Sequence, residues 1–188
     1  TALVEPIAPP PRLAIAGSGH DAVPLVSLAQ AMGMRVTVAD RHASIAQRER
    51  LAAADELLIG SPEELARAID ARQTALVVVM THDYDRDREY LGAALGTRAR
   101  YIGVLGPERR TARLLAELEK GGRRASDDAL SRLHAPAGLD VGAETPKGIA
   151  LAILAGMQAK LANARAGYLR EREGAIHAAS DAIVITKQ

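Results

Sequence analysis

The chain has 188 residues, 48% of them apolar and 25% charged, enough for one domain with a buried core. Its 24 basic and 23 acidic residues nearly cancel and aromatic residues make up 2%, which excludes a basic or stacking surface for nucleic acid and any strong attraction to an anionic membrane. The absence of cysteine excludes disulfides, thiolate metal ligands and a cysteine nucleophile within these residues. No apolar run reaches the ~20 residues of a membrane helix, so a soluble, cytoplasmic protein is expected.

Residues 1–11 are proline-rich, without the charged start or apolar core of a signal peptide, and read as a leading arm before a domain spanning 12–166. The first apolar run, residues 12–16, leads into Gly17-Ser18-Gly19-His20-Asp21-Ala22, a helix-compatible stretch, a second run at 35–39, and Asp40. This is the sequence form of a dinucleotide-binding βαβ unit. Gly17 permits a tight strand-to-helix turn, Gly19 lets backbone approach a pyrophosphate, and Ala22 allows close helix packing, so Gly17, Ser18, Gly19 and His20 form the candidate phosphate turn. Asp40 stands where a carboxylate accepts from a ribose 2′-hydroxyl, favouring NAD over NADP, while neighbouring Arg41 weakens that discrimination.

Further apolar runs at 56–59, 75–80 and 100–105 alternate with helical stretches. The alternation predicts an α/β fold, Rossmann-like and doubly wound, with a mostly parallel sheet and helices on both faces in three layers. After the third run, Ser61 can cap a helix that has Pro62 in its first turn and runs to about Ala71. Ligands of such sheets bind beyond the carboxyl ends of the strands, so the segments that follow the runs are the candidate sites.

After the fourth run stand Thr81, His82 and Asp83. His82 would be the acid/base if the chain is an enzyme, histidine being the side chain suited to that role; Asp83 either orients it or caps the next helix. Asp83, Asp85 and Asp87 alternate as in a calcium loop, but Arg88 and Ala94 stand where such a loop needs glycine and glutamate. These acids are therefore expected to form a solvated helix start. After the fifth run, Gly106-Pro107-Glu108-Arg109-Arg110 sets cations at a helix start, against the dipole, which points to an anion contact with Arg109 as first choice.

That helix, Glu108 to Lys120, stops at Gly121-Gly122, and a short helix from Ser126 is expected to end near His134. The following loop to Pro146 carries Gly138 and Gly142, which allow close backbone approach, and His134, Asp140 and Glu144, which either meet a ligand or complete a structural loop. A last helix is expected over about Thr145 to Ala166. The tail, 167–188, ends in an apolar run, Ala182 to Thr186, readable as an edge strand or a partner arm. Together with the long last helix it suggests a homodimer. No GxxxxGK[ST], HExxH or GxSxG occurs, and the five histidines form no metal pair at helical spacing.

Taken together, Gly17-Ser18-Gly19-His20, Asp40-Arg41, Thr81-His82-Asp83, the Gly103 to Arg110 segment and above all the His134 to Pro146 loop resemble the carboxyl-terminal Rossmann domain of the XdhC/CoxI family, the xanthine dehydrogenase accessory factors. The resemblance covers about residues 12–165 and extends weakly to Arg172-Glu173-Gly174-Ala175-Ile176-His177. It implies a role in maturing molybdenum hydroxylases: binding molybdenum cofactor, protecting it during sulfuration, and helping its insertion into a xanthine dehydrogenase-like or carbon monoxide dehydrogenase-like apoenzyme. A cofactor sulfurase is a further implied partner, and such proteins need not turn over a substrate. The implied site comprises the residues above together with Gly106, Arg109, Gly138, Asp140 and Glu144. This chain departs from the family where Gly106-Pro107-Glu108-Arg109 replaces a usual Gly-Ser-Arg, and where Lys147-Gly148 replaces an acidic pair. The other readings of the glycine turn are an NAD-dependent oxidoreductase and a nucleotide-sensing regulatory module.

Overall fold

The computed structural model describes residues 2–4, 9–71, 76–171, 173 and 183–185. In the arm, β1 (Ala2–Val4) pairs antiparallel with β8 (Ile183–Ile185) of the tail, forming a two-stranded ladder of its own. Ile183–Ile185 of the tail run thus form a strand, and it joins the arm, not the main sheet. Ala182 and Thr186 of that run, and Arg172 and 174–177 of the tail segment, lie outside the described residues.

The main sheet contains β2 (Arg12–Ala16), β3 (Arg35–Ala39), β4 (Glu56–Leu58), β5 (Leu76–Val79), β6 (Tyr101–Val104) and β7 (Leu133–His134), all parallel. Their spatial order is β4-β3-β2-β5-β6-β7. The chain therefore builds outward from β2 in one direction, returns to β5 at its other side, and builds outward again. Adjacent crossovers leave β2 and β5 toward opposite faces, which opens a crevice at their carboxyl ends.

Alternation along the strands divides the core in two. Leu13, Ile15, Leu76 and Val78 pack with α1 (Ala22–Ala31) and α7 (Pro146–Leu161). Ala14, Ala16, Val77 and Val79 pack with α3 (Pro62–Ala71), α4 (Tyr84–Leu95) and α5 (Glu108–Lys120). Every residue of β5 is buried, as expected of a strand covered on both faces. Two short helices, α2 (Ile45–Arg50) and α6 (Asp127–Ser131), complete the layers, each opened by a serine that accepts from an amide of the first turn.

Two expectations change. The short helix ends at Ser131, and Leu133–His134 join the sheet as a sixth strand. Arg132 anchors that strand: its carbonyl accepts from Ile102 and its guanidinium donates to the carbonyls of Thr97 and Ala99. The last helix stops at Leu161, short of Ala166, and the chain then takes left-handed conformations at Asn163 (φ 50°) and Ala166 (φ 58°).

The glycine turn after β2 depends on the absence of a side chain. At Gly17 (φ 123°) a Cβ would stand 2.6 Å from the Met80 carbonyl oxygen and 2.9 Å from Thr81 Cα, both backbone atoms at the end of β5. Gly33 has φ 76° but open space around it. Gly17→Ala is expected to lower stability by about 3 kcal/mol and Gly33→Ala by about 1 kcal/mol, measured by urea unfolding.

Candidate functional site

Two buried carboxylates organise the carboxyl edge of the sheet. Asp40, at the end of β3, is 4% exposed. Its Oδ2 accepts from the Ser18 amide (3.1 Å) and hydroxyl (2.6 Å), and its Oδ1 from the His42 amide (2.9 Å) and Arg86 Nη1 (3.3 Å). All four acceptor positions of the carboxylate are filled by the protein. Asp87, on α4, is 1% exposed. Its Oδ1 accepts from the Thr81 amide (3.0 Å) and hydroxyl (2.6 Å), and its Oδ2 from Arg110 Nη2 (2.6 Å). The expected solvated acidic helix start is therefore corrected at Asp87, which is a core-facing partner of Arg110. Asp85 does stay exposed, paired with Arg88 at 2.9 Å.

Asp83 caps α4, its Oδ1 accepting from the Arg86 amide at 2.9 Å. That bond, then the Arg86 charge, draws its carboxyl below the usual range. Thr81 closes the same turn, its hydroxyl accepting from the Asp83 amide at 3.2 Å.

Beyond the ends of β5 and β6 lies a cavity of about 240 Å³ lined by Met80, His82, Asp87, Leu105, Gly106 and Arg110. The Arg110 guanidinium is held from two sides, by Asp87 and by the Tyr84 ring 5.2 Å away. His82 has a left-handed backbone (φ 60°), a rare conformation for a residue other than glycine. Its Nε2 lies 3.1 Å from Asp21 Oδ2, at the start of α1. A Cβ at Gly19 would stand 3.2 Å from the His82 ring, so the second glycine of the turn makes room for that imidazole. Among the described residues nothing accepts from the amides of Gly19, His20 and Asp21.

The structure thus brings Gly17, Ser18, Gly19, Asp40, Thr81, His82 and Gly106 together around the reversal of strand order. It places others elsewhere. Arg109 is exposed and outside the cavity wall, where Arg110 stands instead. Arg41 is exposed and 3.7 Å from Glu89, and its amide donates to the Tyr90 hydroxyl. Gly138 (φ 104°) packs against the backbone of α7, where a Cβ would stand 2.9 Å from Ala152 C and Ile153 N. Asp140 and Glu144 are exposed on the same loop, and His20 is exposed on the glycine turn.

His134 stacks on Tyr101, with centroids 4.2 Å apart and planes at 10°, and its buried Nε2 has no hydrogen-bond partner among the described residues. Burial, reinforced by the Lys160 charge, holds its imidazole below the ordinary value of 6.5. Sequence reasoning ranks Arg109 ahead of Arg110 for the anion contact and gives Asp87 and Arg86 no place in the site. The available signal was helical spacing: Asp87 lies one turn beyond the cap Asp83, on the side of α4 that returns to the sheet.

Parallel strands in this order, a glycine turn after the innermost, and a crevice at the reversal define a Rossmann domain. The family model described as the XdhC Rossmann domain matches residues 13–157, and the chain belongs to that family. It is 33% identical over 152 residues to a probable xanthine dehydrogenase component of Bacillus subtilis, covering 81% of this chain and 43% of that protein. It is 30% identical over 160 residues to the uncharacterized protein YqeB of Escherichia coli, covering 85% of this chain and 29% of that one. The crystal structure of a xanthine dehydrogenase from Bacillus halodurans superposes with a TM-score of 0.70 at 33% identity, covering 83% of this chain and 46% of that one. The chain therefore spans less than half the length of these relatives. Among the described residues, no helix is long and apolar enough to cross a membrane, and no group of three or more His, Asp or Glu side chains is arranged to hold a metal ion.

The buried histidine sets a pH dependence. Because the folded imidazole titrates below 6.5, the unfolded chain binds more protons below that value, and the stability present above it is lost as pH falls through the folded pKa. The melting temperature is expected to drop as pH falls below about 6.5, and His134→Phe, which keeps the stack on Tyr101, to flatten that part of the profile.

Proposed function

We propose that the crevice between the ends of β2 and β5 holds the anionic end of molybdenum cofactor, as a pterin phosphate or a dinucleotide. In this reading the domain acts as an accessory factor in the maturation of a molybdenum hydroxylase. One observation carries it: the amides of Gly19, His20 and Asp21, which no described residue accepts from, belong to the turn that packs on His82, and His82 also lines the Arg110-walled cavity. A helix start with open N–H groups and a guanidinium fixed in orientation suit a phosphate or diphosphate. The names of two relatives, a xanthine dehydrogenase and a probable component of one, support a hydroxylase apoenzyme as client.

The residues present fit the phosphate-bearing end of such a group. Gly17 lets the turn close against the end of β5, Gly19 makes room for the His82 ring, and His82, Gly106 and Arg110 line the cavity, with nitrogen donors from His82 and Arg110. When bound, the group supplies the redox chemistry of the client enzyme. This chain's residues bind it, orient it and shield it through sulfuration and insertion. Asp40, with its acceptor positions filled by Ser18, His42 and Arg86, sets the shape of the turn in this scheme, and ribose recognition falls to the neighbouring loops.

Calorimetric titration with NAD, NADP and molybdenum cofactor tests the proposal. Tight binding of the pterin cofactor without hydride transfer is expected; tight NAD binding with turnover contradicts it. Arg110→Lys, which keeps a charge beside Asp87 but loses the planar fork, is expected to weaken the anionic ligand about tenfold. Arg109→Glu is expected to leave affinity nearly unchanged.

A further inference from the structure

We propose that Asp21 and His82 form a latch across the mouth of the crevice, opened when the phosphate of an incoming ligand replaces the Asp21 carboxylate on the imidazole. The inference rests on the crevice being the ligand site, as proposed above. Asp21 occupies the N-cap position of α1, where aspartate ordinarily accepts from an amide of the first turn. Here it makes no capping bond. Its carboxylate turns the other way, to 3.1 Å from Nε2 of His82.

The two partners come from opposite sides of the strand-order reversal. Asp21 follows the glycine turn after β2, and His82 follows β5. Their contact therefore ties the turn after β2 to the loop after β5, and His82 also lines the cavity. With side chains 52% and 25% exposed, the pair is a solvated one that a stronger anion can displace. A phosphate is such an anion, because it offers more acceptors and more charge to the same imidazole and to the adjacent amides.

Asp21 also adds a negative charge at the position an anion must take. The latch thus favours ligands that carry a phosphate group at the turn, and it gives uncharged ligands no reason to open it. Its left-handed backbone fixes His82 over Gly19, which has no side chain to push the ring away.

The test uses inorganic pyrophosphate and NAD as anionic probes and adenosine as an uncharged one, titrated into wild type, Asp21→Asn and the Asp21→Asn/His82→Gln double variant. Asp21→Asn is expected to bind both anions about fivefold tighter, with adenosine unaffected and the gain lost in the double variant. Asp21→Ser, a good N-cap, repeats the measurement should the asparagine variant be unstable. Wild-type binding of the anions with no gain in either Asp21 variant overturns the latch alone. Failure of every form to bind either anion overturns the crevice reading and the latch together.

Discussion

Two buried carboxylates hold the functional edge of this domain together, and their need for partners is the constraint from which the rest follows. A carboxylate removed from water is costly unless its acceptor positions are filled. Asp40 fills them from the glycine turn, from its own loop and from α4; Asp87 fills them from the end of β5 and from α5. The loops after β2, β3, β5 and β6 are thereby coupled, and none can move without exposing or orphaning a charge. Tyr90 adds the loop after β4, its buried hydroxyl donating to the Gly60 carbonyl and accepting from the Arg41 amide. Such coupling holds a site's geometry before a ligand arrives.

The aliphatic core makes this edge accessible. Small and branched side chains fill the two faces of the sheet, and Gly17 lets the turn after β2 touch the backbone of β5. That contact closes the floor of the crevice between the two innermost strands. The walls then come from residues fixed elsewhere: His82 by its left-handed backbone and Asp21, Arg110 by Asp87 and Tyr84. Arg110 already faces the Asp87 carboxylate, and His82 already faces the Asp21 carboxylate. An anion must therefore compete for its partners, which is the physical basis of the proposed latch.

Much of the fold was legible because burial on both faces leaves a continuous apolar run, as in β5, and because caps such as Ser61 and Asp83 have local signatures. The strand β7 was not, since two residues carry no periodicity and its place depends on Arg132 reaching back to Thr97 and Ala99. Asp87 looked like one of several solvated acids because its partners, Thr81 and Arg110, meet it only in the folded chain. The choice between Arg109 and Arg110 is a matter of helical phase: one residue is a turn of about 100°, enough to move a guanidinium from the cavity wall to solvent. The loop from His134 carried the family resemblance, yet much of it serves packing, with His134 on Tyr101 and Gly138 on α7.

The central claim, that buried carboxylates lock the strand ends into a preformed crevice, is tested most directly by native-state hydrogen exchange at the Ser18 and Thr81 amides. These amides donate to Asp40 and Asp87 from loops that would otherwise be free to open. Exchange limited by global unfolding, with protection close to that of β5, is the predicted result. Rapid exchange at both amides, at the rate of exposed loops, would contradict the account.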